Sequence, residues 1–230
     1  MSRDRSGSDE GRLVATGTRR MTAEARKRQI VQVALETIGK HGVQGTTMAL
    51  IAKGAGTTTA ALYVHFENRQ AILLAALDAV YEKTFELHRS SPGKDAVQQL
   101  RDICEYHAKL IATQGTAGHA HLFLEFVAAA TEDDLRDALR EKQLAAVKDM
   151  ALIVDEGKRQ GTISEDVDSE DVAWMIGGWA WSGDIAHMMG VRPLWHPRVS
   201  ARLLESILQG IAPGARQTPS SGEPAQSSAL

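Results

Sequence analysis

The sequence predicts an all-α protein with an N-terminal three-helix helix-turn-helix head and a larger C-terminal helical body, about nine helices in all. Three observations carry this. Apolar residues recur at the helical period through almost all of residues 21–212. No run of alternating β-branched residues reads as a strand. Glycine, proline or a capping residue separates one helical run from the next.

The elements follow in order. Met1–Arg20 is rich in Gly, Ser, Arg and Asp, and reads as a disordered arm. Thr22–Gly39 carries Ile30, Ala34 and Ile38 on one stripe, and Gly39 and Gly42 are expected to end it. Met48–Ala55 and Thr58–Phe66 read as two short helices. Asn68 is placed to cap a longer one through about His88, with Ile72, Leu73, Ala76 and Val80 inward. Pro92–Gly93 breaks the chain. Asp95–Ala112 follows, with Leu100, Ile103, His107 and Leu110 on one stripe. His119–Ala130 is apolar almost all round, which implies burial. Asp133–Gln160 is long and amphipathic and stops at Gly161; Ser169–Met189 is very apolar; Pro197–Gly210 closes the fold. The tail 213–230 is Pro/Ser/Gly/Gln/Ala-rich and reads as disordered. The organisation expected is therefore an arm (1–20), a head of short helices (21–68), a larger helical body (69–212) and the tail (213–230).

The bulk properties narrow the class. At 230 residues, 43% hydrophobic and 24% charged, the chain has the composition of an ordinary globular protein. Its one cysteine, Cys104, excludes an internal disulfide framework and fits a reducing compartment. No apolar run approaches the roughly 20 residues of a membrane helix, and the N-terminus lacks the apolar core of a secretory signal. A cytoplasmic protein with no membrane partner is the expectation. The net charge of −3 hides an asymmetry. Residues 1–70 hold 11 Lys/Arg against 6 Asp/Glu, a net of +5, which leaves −8 for the rest. A basic head on an acidic body suits a protein that presents one end to a polyanion; a chance imbalance is the alternative.

Thr47–Phe66 carries the functional signal. Two short helices that cross steeply need a small residue at the crossing, a turn residue that tolerates left-handed angles, and an apolar pin on the second helix. Ala52, Gly56 and Leu62 supply these at spacings of four and six. Thr47 and Thr58 stand where N-caps are expected. The second helix offers Thr59, Ala60, Ala61, Tyr63, Val64 and His65 outward. Short side chains at its start let it enter a major groove about 12 Å wide, and exposed amides there favour phosphates. A plain helical hairpin is the competing reading. Arg19, Arg20, Arg26, Lys27 and Arg28 form a charge run before or within the first helix, either solvated or, for Arg20 and Arg26, set against phosphates.

Residues 22–75 resemble the DNA-binding domain of the TetR family of bacterial transcriptional regulators. The matching run is Ile30, Ala34, Gly42, Thr46-Thr47, Ile51-Ala52, Ala55-Gly56, Leu62-Tyr63-Val64-His65-Phe66, Asn68-Arg69 and Leu73. The resemblance implies DNA contacts at Thr46, Thr47, Thr58, Thr59, Ala60, Tyr63, His65 and Arg69. The chain departs from the family pattern at Ala60, where Gly is frequent, at Thr59, where Lys is frequent, and at Glu67, where Pro is frequent. The lost Lys removes a contact, so the operator sequence cannot be borrowed from relatives.

The resemblance also implies a helical body that dimerises through its last two long helices and binds a small molecule. Phe123-Leu124-Glu125, Leu135-Arg136, Glu156-Gly157, Gly161-x-Ile163 and Asp168 with Ala173 carry it there. Trp174, Trp181, Val199, Leu203 and Ile207 are the expected dimer residues, with an internal core helix as the alternative. Ile103, His107, Phe123, Phe126, Met150, Trp179 and His187 are the candidates for an apolar or aromatic effector, each also readable as ordinary core.

The chemistry of an enzyme is weak. Asp184-x-x-His187 has no partner motif for a di-metal bundle, and His119 and His121 point to different sides of a helix. No Gly-rich phosphate loop, zinc-protease motif or nucleophile elbow occurs. No cofactor, metal or catalytic residue is expected. Two readings remain: a ligand-responsive regulator, usually a repressor, acting as a dimer on a palindromic operator, or a helical enzyme or small-molecule carrier whose head is not a sequence-specific DNA reader.

Overall fold

A computed structural model describes residues 21–89, 95–114, 118–131, 133–191 and 197–214. The expected arm (1–20), the Pro92–Gly93 break and all but the first two residues of the tail lie outside these. Among the described residues the chain forms nine helices and no strand: α1 (Ala23–Gly45), α2 (Met48–Gly54), α3 (Thr59–Tyr63), α4 (Arg69–His88), α5 (Ala96–Gln114), α6 (His119–Ala129), α7 (Asp133–Arg159), α8 (Ser169–Met188) and α9 (Pro197–Gly210).

Side-chain caps fix the starts of the helices that position the head. Thr22, Thr47 and Thr58 Oγ1 accept from the amides of Ala25, Leu50 and Ala61 at 3.2, 3.3 and 3.2 Å. Asn68 Oδ1 accepts from Ala71 N at 2.8 Å. Each such cap contributes roughly 1 kcal/mol.

Two boundaries differ from the sequence reading. Gly39 does not end α1. A glycine inside a helix costs only about 1 kcal/mol, and buried Ile38 and Val43 on either side hold the segment against the core. The break comes at Gly42, with φ 69° and ψ 170°. The second short helix stops at Tyr63 rather than Phe66, because Leu62 O takes both the His65 and Phe66 amides in a tight turn that leads to the Asn68 cap.

Two cores organise the molecule. One begins with Ile30, Ala34 and Ile38 of α1, takes in Ile51 and Leu62, crosses Ile72, Leu73 and Leu77 of α4, and ends on Phe126 and Leu135. It passes without interruption from the head into the body. The other joins Leu100 of α5, Val154 of α7, Ile176 of α8 and Leu208 and Ile211. Among the described residues no helix is long and apolar enough to cross a membrane.

Candidate nucleic-acid interface and body cavity

The α2–α3 pair is built as its spacing requires. Ala52 and Ala55 are buried, and Leu62 is fully buried. Gly56 has φ 60°, where any other L-residue costs about 1–2 kcal/mol. Its amide donates to Lys53 O and that of Thr57 to Ala52 O, so the left-handed residue closes α2 by satisfying two terminal carbonyls. The chain then re-enters a helix at Thr58, aimed across α2.

Burying Leu62 turns the neighbouring side chains outward. Tyr63 is 55% exposed and Val64 79%. Ala60, Thr47 and Thr58 are exposed, and Thr59 and His65 half-buried. Seen from solvent, the first turns of α2 and α3 present short side chains, threonine hydroxyls and one phenol. Hydroxyls that accept from cap amides still have a proton to donate.

Two predicted contacts are placed differently. Thr46 is fully buried, and its hydroxyl donates to Gly42 O at 2.7 Å, so its side chain cannot reach a phosphate. Arg69, half-buried, donates from Nε to Thr46 O and from Nη2 to Val43 O, both at 2.5 Å. Its guanidinium clamps the start of α4 to the α1–α2 turn. Arg26 donates to Gln29 Oε1 at 2.6 Å, and Arg20 lies outside the described residues.

In the body, α4, α5, α6, α7 and α8 line a half-open cavity of about 130 Å³. Ile103, His107, Phe123, Met150 and Trp179 meet at its wall. Phe126 does not: it is fully buried in the core that runs to the head. Neither does His187, whose Nδ1 is buried with no hydrogen-bond partner. Trp181, expected on the dimer face, is half-buried and lines the cavity, stacked on Phe123 with centroids 5.9 Å apart. Its ring fills the gap between α6 and α8.

Sequence reasoning missed Tyr81, His88 and Asp184 at this wall. The one signal for Asp184 was a carboxylate within an apolar helix. Tyr81 donates to Gln143 Oε1 at 3.0 Å, and burial raises its phenol above the ordinary 10. Burial pushes the Cys104 thiol up to about 12, so it is an inert apolar neighbour.

His88 Nδ1 lies 3.1 Å from Asp149 Oδ2, joining α4 to α7. Burial holds this imidazole below its ordinary 6.5, outweighing the pull of Asp149 in the other direction. The unfolded chain therefore takes this proton first. The neutral histidine's contribution to stability is complete above about pH 6.5 and is lost as pH falls through the folded value. Denaturant titrations between pH 7.5 and 5 are expected to show a shallower loss of stability in His88→Asn than in the parent chain. Equal slopes would remove His88 as a source of acid sensitivity.

The outward side of α8 and α9 is apolar. Trp174 is 40% exposed and Leu203 44%; Met175, Ile185 and Met188 are exposed alongside them, and Val199 and Ile207 are half-buried. A Cβ added at Gly178 would meet nothing within 4 Å, so this side is open to close approach.

Comparison with known proteins agrees with this architecture. The family described as bacterial regulatory proteins, tetR family, matches residues 30–76, the span of the two crossed helices and their supports. The HTH-type transcriptional regulator TtgR of Pseudomonas putida is 29% identical over 161 residues, 66% of this chain and 74% of that protein. The "Probable acrEF/envCD operon repressor" of Escherichia coli is 26% identical over 182 residues, 74% of this chain and 80% of that protein. The crystal structure of the transcriptional regulator FadR from Bacillus subtilis in complex with stearoyl-CoA superimposes with a TM-score of 0.68 at 23% identity, covering 80% of this chain and 98% of that one, a likeness of fold. The head, its exposed surface and these similarities lead to one assignment: residues 30–76 form a helix-turn-helix domain that matches the tetR family of bacterial regulatory proteins, and the chain around it is similar to transcriptional regulators of that kind.

Proposed function

We propose that the chain is a ligand-responsive repressor that binds a palindromic operator in the cytoplasm as a homodimer and leaves it when a small molecule occupies the body cavity. Its role is binding, not catalysis. The carrying observation is the orientation of α3: Leu62 is fully buried while Tyr63 on the next position is 55% exposed. That arrangement points a capped, short-side-chained helix start at whatever the head meets. Thr47, Thr58, Thr59, Ala60, Tyr63 and His65 are the residues that would touch DNA. The head comprises residues 21–68 and the body 69–212.

One such helix reads only a few base pairs, so two copies must act together. Docking through the apolar sides of α8 and α9, with Trp174, Val199, Leu203 and Ile207 inside, would set two heads about 34 Å apart on one face of the duplex. A light-scattering mass of a dimer at micromolar concentration is expected; a monomer would overturn this arrangement. An effector that fits one spacing of the heads better than the other shifts the population away from the DNA-bound form.

The test is fluorescence anisotropy against the DNA upstream of the protein's own gene, at fixed salt. Tyr63→Ala is expected to weaken binding about tenfold or more per half-site, the worth of roughly one hydrogen bond to a charged group. The loss should be similar on specific and non-specific DNA, since phosphates carry no sequence. Unchanged affinity would remove this face from the interface.

A further inference from the structure

We propose that the body cavity is made for a small organic cation, a protonated amine on an apolar frame, with Asp184 as its counter-ion. This rests on the effector reading above and names the chemistry of that effector.

The first observation is an unmet carboxylate. Asp184 sits in the second-last turn of α8, lines the cavity, and is 2% exposed. Its Oδ1 is buried with no hydrogen-bond partner. His107 Nε2 of α5 stands 3.1 Å from that oxygen, within ion-pair distance, yet the two atoms form no hydrogen bond and neither has another partner. An ionised carboxylate can only accept, and a buried acceptor left unpaired is rare because it is costly. A donor entering from the cavity would meet that need.

The second observation is independent and chooses a charged donor over a neutral one. Four aromatic rings, Tyr81, Phe123, Trp179 and Trp181, line the same cavity. Trp179 meets His107 at a tilt of 54°, with ring centroids 6.2 Å apart. The faces of such rings are negative and attract cations in a dry site; they disfavour an anion. The other charged or titratable groups at the wall do not reverse this. Lys83 is solvent-exposed on α4, and His88, partnered by Asp149, is held toward its neutral form by burial. The cavity volume of about 130 Å³ falls below the roughly 300 Å³ at which drug-sized sites begin, which limits the frame to about one ring.

Calorimetric titration of the full chain at neutral pH with benzylamine, benzyl alcohol and benzoate tests this, because the three share a ring and differ in charge. Benzylamine is expected to bind at least about tenfold more tightly than either of the others, the order contributed by a hydrogen bond to a buried charge. Asp184→Asn should abolish that preference while leaving the affinity for benzyl alcohol within about twofold. Equal or tighter binding of the alcohol or the acid would overturn the proposal, as would a cation preference that survives in Asp184→Asn. Should that variant not fold, the three titrations of the parent chain decide alone. Operator release, read by anisotropy with the same probes, separates the two levels. If benzyl alcohol or benzoate binds and releases DNA while benzylamine does not, the effector reading stands and the cation is wrong. If none of the three binds or releases DNA, the cavity has no effector role and both fall.

Discussion

Arg69→Ala is expected to lower the unfolding free energy by about 3 kcal/mol, since two hydrogen bonds from a charged group are lost at roughly 1.5 kcal/mol each. The guanidinium donates to the carbonyls of both Val43 and Thr46. These lie at the end of α1, where Gly42 has already broken the helix; Val43 O also accepts from the Thr46 amide at 3.2 Å, so the guanidinium is its second donor. Removing the fork takes a charged donor from both carbonyls, leaving Val43 O with the Thr46 amide alone, and frees the α1–α2 turn from α4. Arg69→Lys should recover only part of the loss, because an ammonium is a point charge without the planar fork. Arg69→Ala, which removes the charge, also separates a clamp from a DNA contact. A clamp predicts weaker operator binding with an unchanged dependence of log Kd on log salt. A phosphate contact predicts a slope smaller by about 1 per lost contact. Urea denaturation and anisotropy across a salt series measure the two quantities, and a destabilisation below about 0.5 kcal/mol, the range of ordinary surface changes, would refute the clamp.

Leu62→Ala is expected to be the most damaging single truncation in the head, at about 2–5 kcal/mol. Leu62 is fully buried and belongs to the core shared by α1, α2 and α4. It is the one buried residue of the five in α3, and a helix that short has almost no stability of its own. Its orientation depends on this pin. Whole domains are stable by only about 5–15 kcal/mol, so operator binding should vanish well before the body unfolds. Val64→Ala, two positions away and 79% exposed, is the control, with a change within about 0.5 kcal/mol. Hydrogen exchange of the α3 amides would show the effect locally. Protection there equal to that of the parent chain would contradict the pin.

The sequence was most readable where local chemistry decides the structure. Thr47, Thr58 and Asn68 cap because a hydroxyl or amide oxygen before a helix reaches back to its amides wherever the helix sits, and Gly56 turns because no neighbour has to cooperate. What escaped notice depends on residues far apart in the chain. Thr46 looks like its neighbour Thr47, and only the packing of α1 on α4 buries one and leaves the other in water. Arg69 looks like a free cation at a helix start until the carbonyls 23 and 26 residues earlier are brought to it. In the body, the apolar positions of α6 and α8 were plain from periodicity. Which of two adjacent apolar stripes faces the cavity was not, because both helices are apolar almost all round. Phe126 and Trp181 were therefore assigned to the wrong neighbours.

The rings across the body form a ladder. Tyr81 of α4 meets Phe123 edge-on at 6.2 Å, Phe123 stacks on Trp181, and Trp181 meets the half-open Trp174 at 6.0 Å. Indoles this close exchange excitation energy, and one of them borders the cavity while the other faces the outer side of α8. The molecule thus carries its own optical gauge. Light absorbed at the surface can be quenched by an occupant of the interior, and intrinsic emission can follow filling of the cavity and covering of the outer side without any attached dye.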